Sequence, residues 1–148
     1  MDVPPLQPVV DSVMIVDDNG DDRYILKRLI RKSNLTSRVM EKVHGEEALA
    51  SLTASASQES EDADPIPALI FLDINMPMMD GFEFLEAFAP LRERDALRSV
   101  ILIMFSSSTH PHDVERIQQY DFVKGYIIKM PASPAELRER VRTCLGMD

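Results

Sequence analysis

The chain has 148 residues, of which 45% are hydrophobic and 28% charged, and its formal net charge at pH 7 is −9. This length suits one globular domain that folds without disulfides or a structural metal, and the single cysteine, Cys144, excludes an intrachain disulfide and fits a reducing compartment. The negative charge argues against nucleic acid or an anionic membrane as a partner. No apolar run approaches the roughly 20 residues that span a bilayer, and the first residues lack the pattern of a secretory signal, so we expect a cytoplasmic protein.

Strand-like and helix-like segments alternate along the chain. Residues 1–11 contain three prolines and predict a flexible tail before a single domain at 12–146. Five short runs rich in apolar and β-branched residues predict strands at 12–16, 38–43, 68–72, 99–105 and 125–129. Segments with apolar residues at helical spacing follow them at 21–32, 46–55, 81–91, 111 to about 120, and 134–145. The acidic, proline-terminated stretch 55–67 predicts an exposed loop.

Five strand–helix units in succession predict an α/β fold. With right-handed crossovers they form a five-stranded parallel sheet covered by helices on both faces, the flavodoxin-like arrangement with strand order 2-1-3-4-5. All five strands then end at the same edge of the sheet. Because open α/β sheets bind their ligands at this edge, the residues that follow the strands are the first candidates for a site.

The stretch 68–81, ALIFLDINMPMMDG, is the most informative part of the chain. Its five leading apolar residues are typical of a strand buried on both faces, and the run stops at the carboxylate of Asp73. Asn75, Asp80 and Gly81 are turn formers, so Asp73 is predicted to lie at the edge of the sheet. Taken alone, the stretch also fits an ordinary strand end, since Asp is common in turns.

Three other predicted strands also end in polar groups. Asp17 and Asp18 follow the first strand, Ser106 follows the fourth, and Lys129 ends the fifth. Crowded carboxylates repel one another unless a cation is present, and Mg²⁺ takes oxygen ligands of this kind. Mg²⁺, a lysine, a hydroxyl and an aspartate are the parts that phosphoryl transfer requires, and Asp73 is a candidate nucleophile that would form an aspartyl phosphate. The alternative is a set of turn and capping residues with a surface lysine, which leaves their coincidence at one edge unexplained.

Taken together, the motifs resemble the receiver domain of two-component response regulators over roughly residues 13–145. They are VDD at 16–18, LDINMP at 72–77 with DG at 80–81, the strand that ends in Ser106, and GYIIK at 125–129. The resemblance implies a phosphoacceptor signalling protein of a two-component or phosphorelay system. It also implies that the chain is not an enzyme in the usual sense and promotes only its own phosphorylation and dephosphorylation.

The resemblance assigns a role to each residue of the acidic site. Asp73 accepts the phosphoryl group from a phosphohistidine of a sensor histidine kinase or a histidine phosphotransfer protein. Asp18 ligates Mg²⁺ directly, and Asp17 acts more often through water. Asn75 offers its backbone carbonyl to the metal, which Mn²⁺ can replace. Lys129 pairs with the phosphoryl oxygens.

The resemblance also implies a switch and an output surface. Ser106 is the expected switch hydroxyl, with Ser107 as the alternative, and Tyr126 is the aromatic residue that turns inward with it. The fourth helix, fifth strand and fifth helix form the expected output face, which binds a downstream protein or a second copy of the chain. Because the chain ends soon after the last predicted helix, we expect the stand-alone type of receiver, with output through protein contact.

One departure from the family pattern leaves a backbone conformation undecided. Receivers usually carry proline directly after the lysine, whereas here Met130 intervenes and Pro131 follows. A non-proline cis bond costs about 2.5–4 kcal/mol, so the sequence leaves the isomer of the Lys129–Met130 bond undecided.

A second reading of the chain is a phosphohydrolase of the haloacid dehalogenase type. Such enzymes also use a nucleophilic Asp after a strand, but they carry a second Asp where this chain has Asn75. A third reading is a degenerate receiver used only for docking, against which the complete acidic set argues.

Overall fold

The fold is described from a computed structural model of the chain, which describes residues 7–57, 64–107, 110–129 and 133–147. The strands are β1 (Val13–Val16), β2 (Val39–Lys42), β3 (Leu69–Leu72), β4 (Ile101–Ser106) and β5 (Val123–Ile128). The helices are α1 (Gly20–Lys32), α2 (Gly45–Ser57), α3 (Gly81–Arg92), α4 (Pro111–Ile117) and α5 (Pro134–Cys144), with a short 3₁₀ helix at Asp95–Leu97. Each strand is followed by one α-helix, as the sequence predicts.

The five strands form one parallel sheet in the order β2-β1-β3-β4-β5, which confirms the predicted topology. Val16 pairs with Leu72, and Leu72 pairs with Met104, so the three central strands end at nearly the same level. The backbone N–H of Asp73 donates to the carbonyl of Val16 over 3.0 Å. This register brings the residues that follow β1 and β3 side by side.

Two hydrophobic cores lie on opposite faces of the sheet. In β3, Ile70 and Leu72 pack against α2 and α3, whereas Leu69 and Phe71 pack with residues of α1 and α5. Since side chains alternate between the faces of a strand, a strand that is covered on both faces must be apolar at every position. This is why the central strands read as unbroken apolar runs.

Some element ends differ from the predictions, by at most three residues. Helix α4 ends at Ile117 rather than near Tyr120, because the amides of Gln118 and Tyr120 bond to carbonyls three residues earlier and so tighten the chain into a turn. Strand β5 begins at Val123, two residues earlier than predicted, and ends before Lys129. Neither difference moves a residue of the predicted site away from the sheet edge.

Part of the predicted N-terminal tail contacts the domain. The amides of Val9 and Val10 both donate to the carbonyl of Leu35, over 2.9 and 3.1 Å, and both side chains are half-buried against the α1/α5 core. Contact with this core removes apolar surface of both valines from water, which stabilises the folded chain. The packed domain therefore begins before the predicted boundary at residue 12. Residues 1–6 of the predicted tail and 58–63 of the predicted acidic loop lie outside the described residues. Within the described ranges, no helix is both long and apolar enough to cross a membrane.

Candidate functional site

Asp73 lies directly after β3 and is only 5% exposed. The loop that follows it folds back on itself, because the amide of Gly81 donates to the carbonyl of Ile74 over 2.8 Å. A Cβ atom at Gly81 would lie 2.7 Å from the backbone oxygen of Asp73 and 2.8 Å from Cα of Ile74. Only glycine fits this close approach of two backbone segments.

Asp80 and Glu83 fix the other end of this loop at the start of α3. The amide of Glu83 donates to Asp80 Oδ1 over 2.8 Å, and the amide of Asp80 donates to Glu83 Oε1 over 3.2 Å. These two bonds form a capping box. Between the fixed ends, Met78 adopts a positive φ of 68° and its side chain points into solvent. The capping box and Gly81 therefore hold the loop that carries Asp73 and Asn75.

Asp17 and Asp18 follow β1 on the neighbouring strand. Asp17 is 3% exposed; its Oδ1 accepts the amide of Asn19 over 3.0 Å, and its backbone carbonyl accepts Nη1 of Arg23 over 2.8 Å. One carboxylate oxygen from each of Asp17, Asp18 and Asp73 lies within 4.8 Å of the other two. The acidic residues from two strand ends thus form one cluster, as the sequence predicts.

Lys129 reaches the same cluster from the end of β5. Its Nζ lies 2.6 Å from Asp17 Oδ2, 2.9 Å from Asp22 Oδ2 and 3.3 Å from Asp73 Oδ1. Its backbone N–H donates to the carbonyl of Ser106 over 2.8 Å, which extends the pairing of β4 and β5 by one residue. The lysine side chain is only 11% exposed, so these carboxylates replace water around its ammonium group.

Asp22 is the residue of this site that the sequence analysis does not identify. It lies in the first turn of α1, where an acidic residue is already accounted for by the helix dipole. The only sequence signal is its position one helical turn beyond the VDD motif, which places it near the same edge of the sheet. Its pairing with Lys129 joins residues 107 positions apart and becomes visible only in the folded chain.

Burial and charge shift the pKa values of the two central groups. Burial raises the pKa of Asp73 to about 6, with a further contribution from Asp17, while Lys129 and the amide of Asn75 partly offset these effects. Burial lowers the pKa of Lys129, but hydrogen bonds to Asp17 and Asp22 outweigh it and raise that pKa to about 12. The lysine is therefore charged at neutral pH, and its single charge does not compensate the surrounding carboxylates.

The donor set fits a hard divalent cation. Within the described ranges, the cluster that could hold a metal consists of Asp17, Asp18 and Asp73, without histidine or cysteine. Mg²⁺ prefers oxygen ligands of this type and commonly uses one or two carboxylates with water. Burial is the main cause of the raised pKa of Asp73, and the neighbouring Asp17 carboxylate adds to it. The coordination by the Asn75 backbone carbonyl stays a prediction.

The structure places Ser106 and Tyr126 on one face of neighbouring strands. Ser106 is the last residue of β4 and is fully buried, whereas Ser107 is exposed. Tyr126 pairs with Met104 and is half-buried against the core that underlies α2, α3 and α4. Its hydroxyl is buried and has no hydrogen-bond partner among the residues that the structure describes. The sequence leaves the isomer of the Lys129–Met130 bond undecided, and Met130 lies outside the described residues.

Comparison with known proteins places the chain in a family. The family model described as "Response regulator receiver domain" matches residues 13–142. Chemotaxis protein CheY1 of Helicobacter pylori is 26% identical over 135 residues, which are 91% of this chain and 97% of that protein. Hybrid signal transduction histidine kinase L of Dictyostelium discoideum is 28% identical over 134 residues, but the chain spans only 7% of its length.

Solved structures show the same fold. A two component response regulator from Cytophaga hutchinsonii matches with a TM-score of 0.73 at 23% identity, covering 93% of this chain and 98% of that one. The receiver domain of the histidine kinase CKI1 from Arabidopsis thaliana, complexed with Mg²⁺ and BeF₃⁻, matches with a TM-score of 0.74 at 25% identity, covering 92% and 90%. The family model covers most of the chain, and its matched range contains Asp17, Asp18 and Asp73. This chain therefore belongs to the response regulator receiver domains of two-component systems.

Proposed function

We propose that this receiver is the phosphoacceptor of a two-component or phosphorelay system, and that Asp73 takes the phosphoryl group from a phosphohistidine of a histidine kinase or a phosphotransfer protein. The observation that carries the proposal is the convergence of Asp17, Asp18 and Lys129 on the Asp73 carboxylate, with Lys129 Nζ 3.3 Å from Oδ1. A carboxyl group whose pKa is raised by burial and by a neighbouring carboxylate is typical of a functional site.

In the proposed step, an oxygen of the Asp73 carboxylate attacks the phosphorus of the donor. A P–O bond forms as the P–N bond to the histidine breaks, and the imidazole nitrogen keeps the electron pair and takes a proton from solvent. The product is an aspartyl phosphate. Lys129 is charged at neutral pH, so its ammonium group can pair with the phosphoryl oxygens and stabilise the charge that they carry.

Asp17, Asp18 and Asp73, with the backbone carbonyl of Asn75, would hold Mg²⁺ or Mn²⁺. When bound, such an ion supplies charge neutralisation at the phosphoryl oxygens and orientation of the donor. The receiver domain of CKI1, which matches this chain at 25% identity, has been solved with Mg²⁺ and BeF₃⁻. The similarity of this chain to that receiver domain supports the proposal that it also binds a divalent cation.

Ser106 and Tyr126 are the proposed switch. A phosphoryl group on Asp73 adds about −1.5 to −2 charge and three strong acceptor oxygens, which can recruit the Ser106 hydroxyl and Lys129. The burial of Ser106 and the exposure of Ser107 favour Ser106 for this role. The buried Tyr126 hydroxyl, which lacks a partner in the described ranges, supports a second arrangement of this side chain. Helix α4, strand β5 and helix α5 would then be the surface that contacts a downstream protein or a second copy.

Phosphorylation by a small donor tests the proposal. Purified protein is incubated with acetyl phosphate or phosphoramidate and Mg²⁺, and intact-mass spectrometry measures the phosphorylated fraction. We expect one alkali-labile phosphoryl group on the wild type and none on Asp73→Asn. The exposed, distant Asp121 offers a control, since Asp121→Asn should label like the wild type. Equal labelling of Asp73→Asn would exclude Asp73 as the acceptor, and turnover of a phosphomonoester would favour a hydrolase.

A further inference from the structure

Lys129 is held by three carboxylates, of which only two belong to the acidic cluster. An ammonium group has three N–H donors, and the three partners of Nζ are Asp17, Asp73 and Asp22. Asp22 stands apart from the other two, because it is not a member of the group whose oxygens lie within 4.8 Å of one another. Its side chain is also more exposed, at 35% against 5% and 6%.

The position of Asp22 is fixed by the start of α1. Its amide donates to Oδ1 of Asn19, the N-cap residue, over 3.0 Å. The next residue, Arg23, donates to the carbonyl of Asp17 over 2.8 Å and pairs with Glu41 over 3.4 Å. These contacts fasten the first turn of α1 to the ends of β1 and β2. Asp22 is therefore a preorganised anchor for the lysine rather than a freely moving surface carboxylate.

We propose that Asp22 is a positioning residue, which keeps the Lys129 ammonium group at the site when a cation engages Asp17 and Asp73. The inference rests on the proposed function, because that function assigns the same two carboxylates to the cation. A cation on these carboxylates weakens their attraction for the ammonium group. Without Asp22, Lys129 would lose its charged partners while its side chain is almost fully buried, which is unfavourable.

Asp22 should consequently favour cation binding without being a ligand. It retains one ion pair with Lys129 and so reduces the cost of separating the lysine from Asp17 and Asp73. The pKa of Lys129, raised to about 12 with a contribution from Asp22, is consistent with this pairing. Because Asp22 is partly exposed, we expect its loss to weaken Mg²⁺ binding by about two- to fivefold, the range of solvent-screened ion pairs.

Asp21 provides a matched control. It is the neighbouring residue in the same helical turn and carries the same charge, but it is exposed and is not among the residues within ion-pair distance of Lys129. Calorimetric titration with Mg²⁺ is compared for the wild type, Asp22→Asn and Asp21→Asn. We expect Asp22→Asn to lose more affinity than Asp21→Asn, since both lose the long-range attraction of one charge but only the former loses the ion pair. Equal affinities of the two variants, or tighter binding by Asp22→Asn, would overturn the inference.

A second comparison in a Lys129→Ala background tests whether Asp22 acts through the lysine. There the difference between Asp22→Asn and Asp21→Asn should disappear. A difference that persists would mean that Asp22 acts on the cation itself, and the positioning role would be wrong. Absence of Mg²⁺ binding by the wild type would overturn both this inference and the proposed cation site. Equal affinities of the two Asn variants would leave the phosphoacceptor role of Asp73 untouched.

Discussion

The carboxyl group of Asp73 is a buried acid on which burial and a like charge act in the same direction. Both raise its pKa from the ordinary value of 3.8 to about 6. A carboxyl whose pKa is higher in the folded than in the unfolded chain contributes stability below the unfolded pKa and loses it as pH rises through the folded value. Without a cation, the ionised Asp73 therefore destabilises the folded protein at neutral pH.

This shift predicts a pH-dependent stabilisation by Asp73→Asn. In metal-free buffer, the variant should gain free energy of unfolding over the wild type as pH rises from 4 to 7, reaching up to about 3 kcal/mol at about 1.4 kcal/mol per pKa unit. Urea unfolding at several pH values with a chelator measures the difference. The exposed Asp121→Asn variant should show no such gain. A constant difference between wild type and Asp73→Asn over this range would contradict the assigned environment of Asp73.

Gly81 gives a second prediction at the residue scale. Replacement by Ala places Cβ against two backbone atoms that cannot move aside, so Gly81→Ala should lower the free energy of unfolding by about 1–3 kcal/mol, as overpacking does. Gly20→Ala is the control, because its nearest neighbour would be the end of the Arg23 side chain at 3.5 Å. That change should be neutral or slightly stabilising in a helix. Thermal unfolding measures the melting temperatures of both variants. Equal melting temperatures would count against the close approach of Gly81 to the backbone of Asp73 and Ile74.

Among the secondary-structure elements, helix α1 contacts the site residues that follow both β1 and β5. Its buried residues Leu26 and Ile30 fix it against the sheet. Its first turn carries Asp22, which contacts Lys129, and Arg23, which contacts the backbone of Asp17. A single helix therefore contacts both the residue that follows β1 and the lysine that follows β5.

Helix α5 packs closely on strand β5 at Gly125. A Cβ at Gly125 would clash with the sulfur of Cys144. Gly125→Ala should therefore destabilise the protein by about 1–3 kcal/mol, and adding Cys144→Ala should recover part of the loss. A double-mutant cycle by chemical unfolding measures this coupling. Purely additive effects would show that the two residues do not meet in solution.

Charge is the property that matters at the scale of the whole molecule. The chain carries a net charge of −9, and the acidic cluster concentrates part of it at one edge of the sheet. A cation that binds only the folded state raises stability by RT ln(1 + [L]/Kd). Mg²⁺ should thus raise the melting temperature in a saturable way.

A Mg²⁺ concentration tenfold above Kd adds about 1.4 kcal/mol of stability, which for a domain of this size should raise the melting temperature by about 3–6 °C. Differential scanning fluorimetry measures it. Asp18→Asn should suppress the rise, whereas NaCl at matched ionic strength should not reproduce it. An equal rise with NaCl would mean that Mg²⁺ acts only by screening the negative charge.

The sequence by itself determined the architecture and the location of the acidic cluster. Buried parallel strands must be apolar at every position, so the strands before Asp17 and Asp73 can be recognised in the sequence as unbroken apolar runs. The topology then places all strand ends at one edge. Because both rules depend on local pattern and connectivity, Asp17, Asp18, Asp73 and Lys129 could be grouped before any coordinates were known.

Only the tertiary structure decided how these groups are paired. The bond between Lys129 and Asp22 joins residues 107 positions apart, and the contact of Gly125 with Cys144 depends on how α5 settles on β5. Neither leaves a periodic signal, because an acidic first turn and a glycine in a strand have ordinary local explanations. Pairing is set by distances of a few ångströms between segments that are remote in sequence, and those distances are fixed only when both cores are packed.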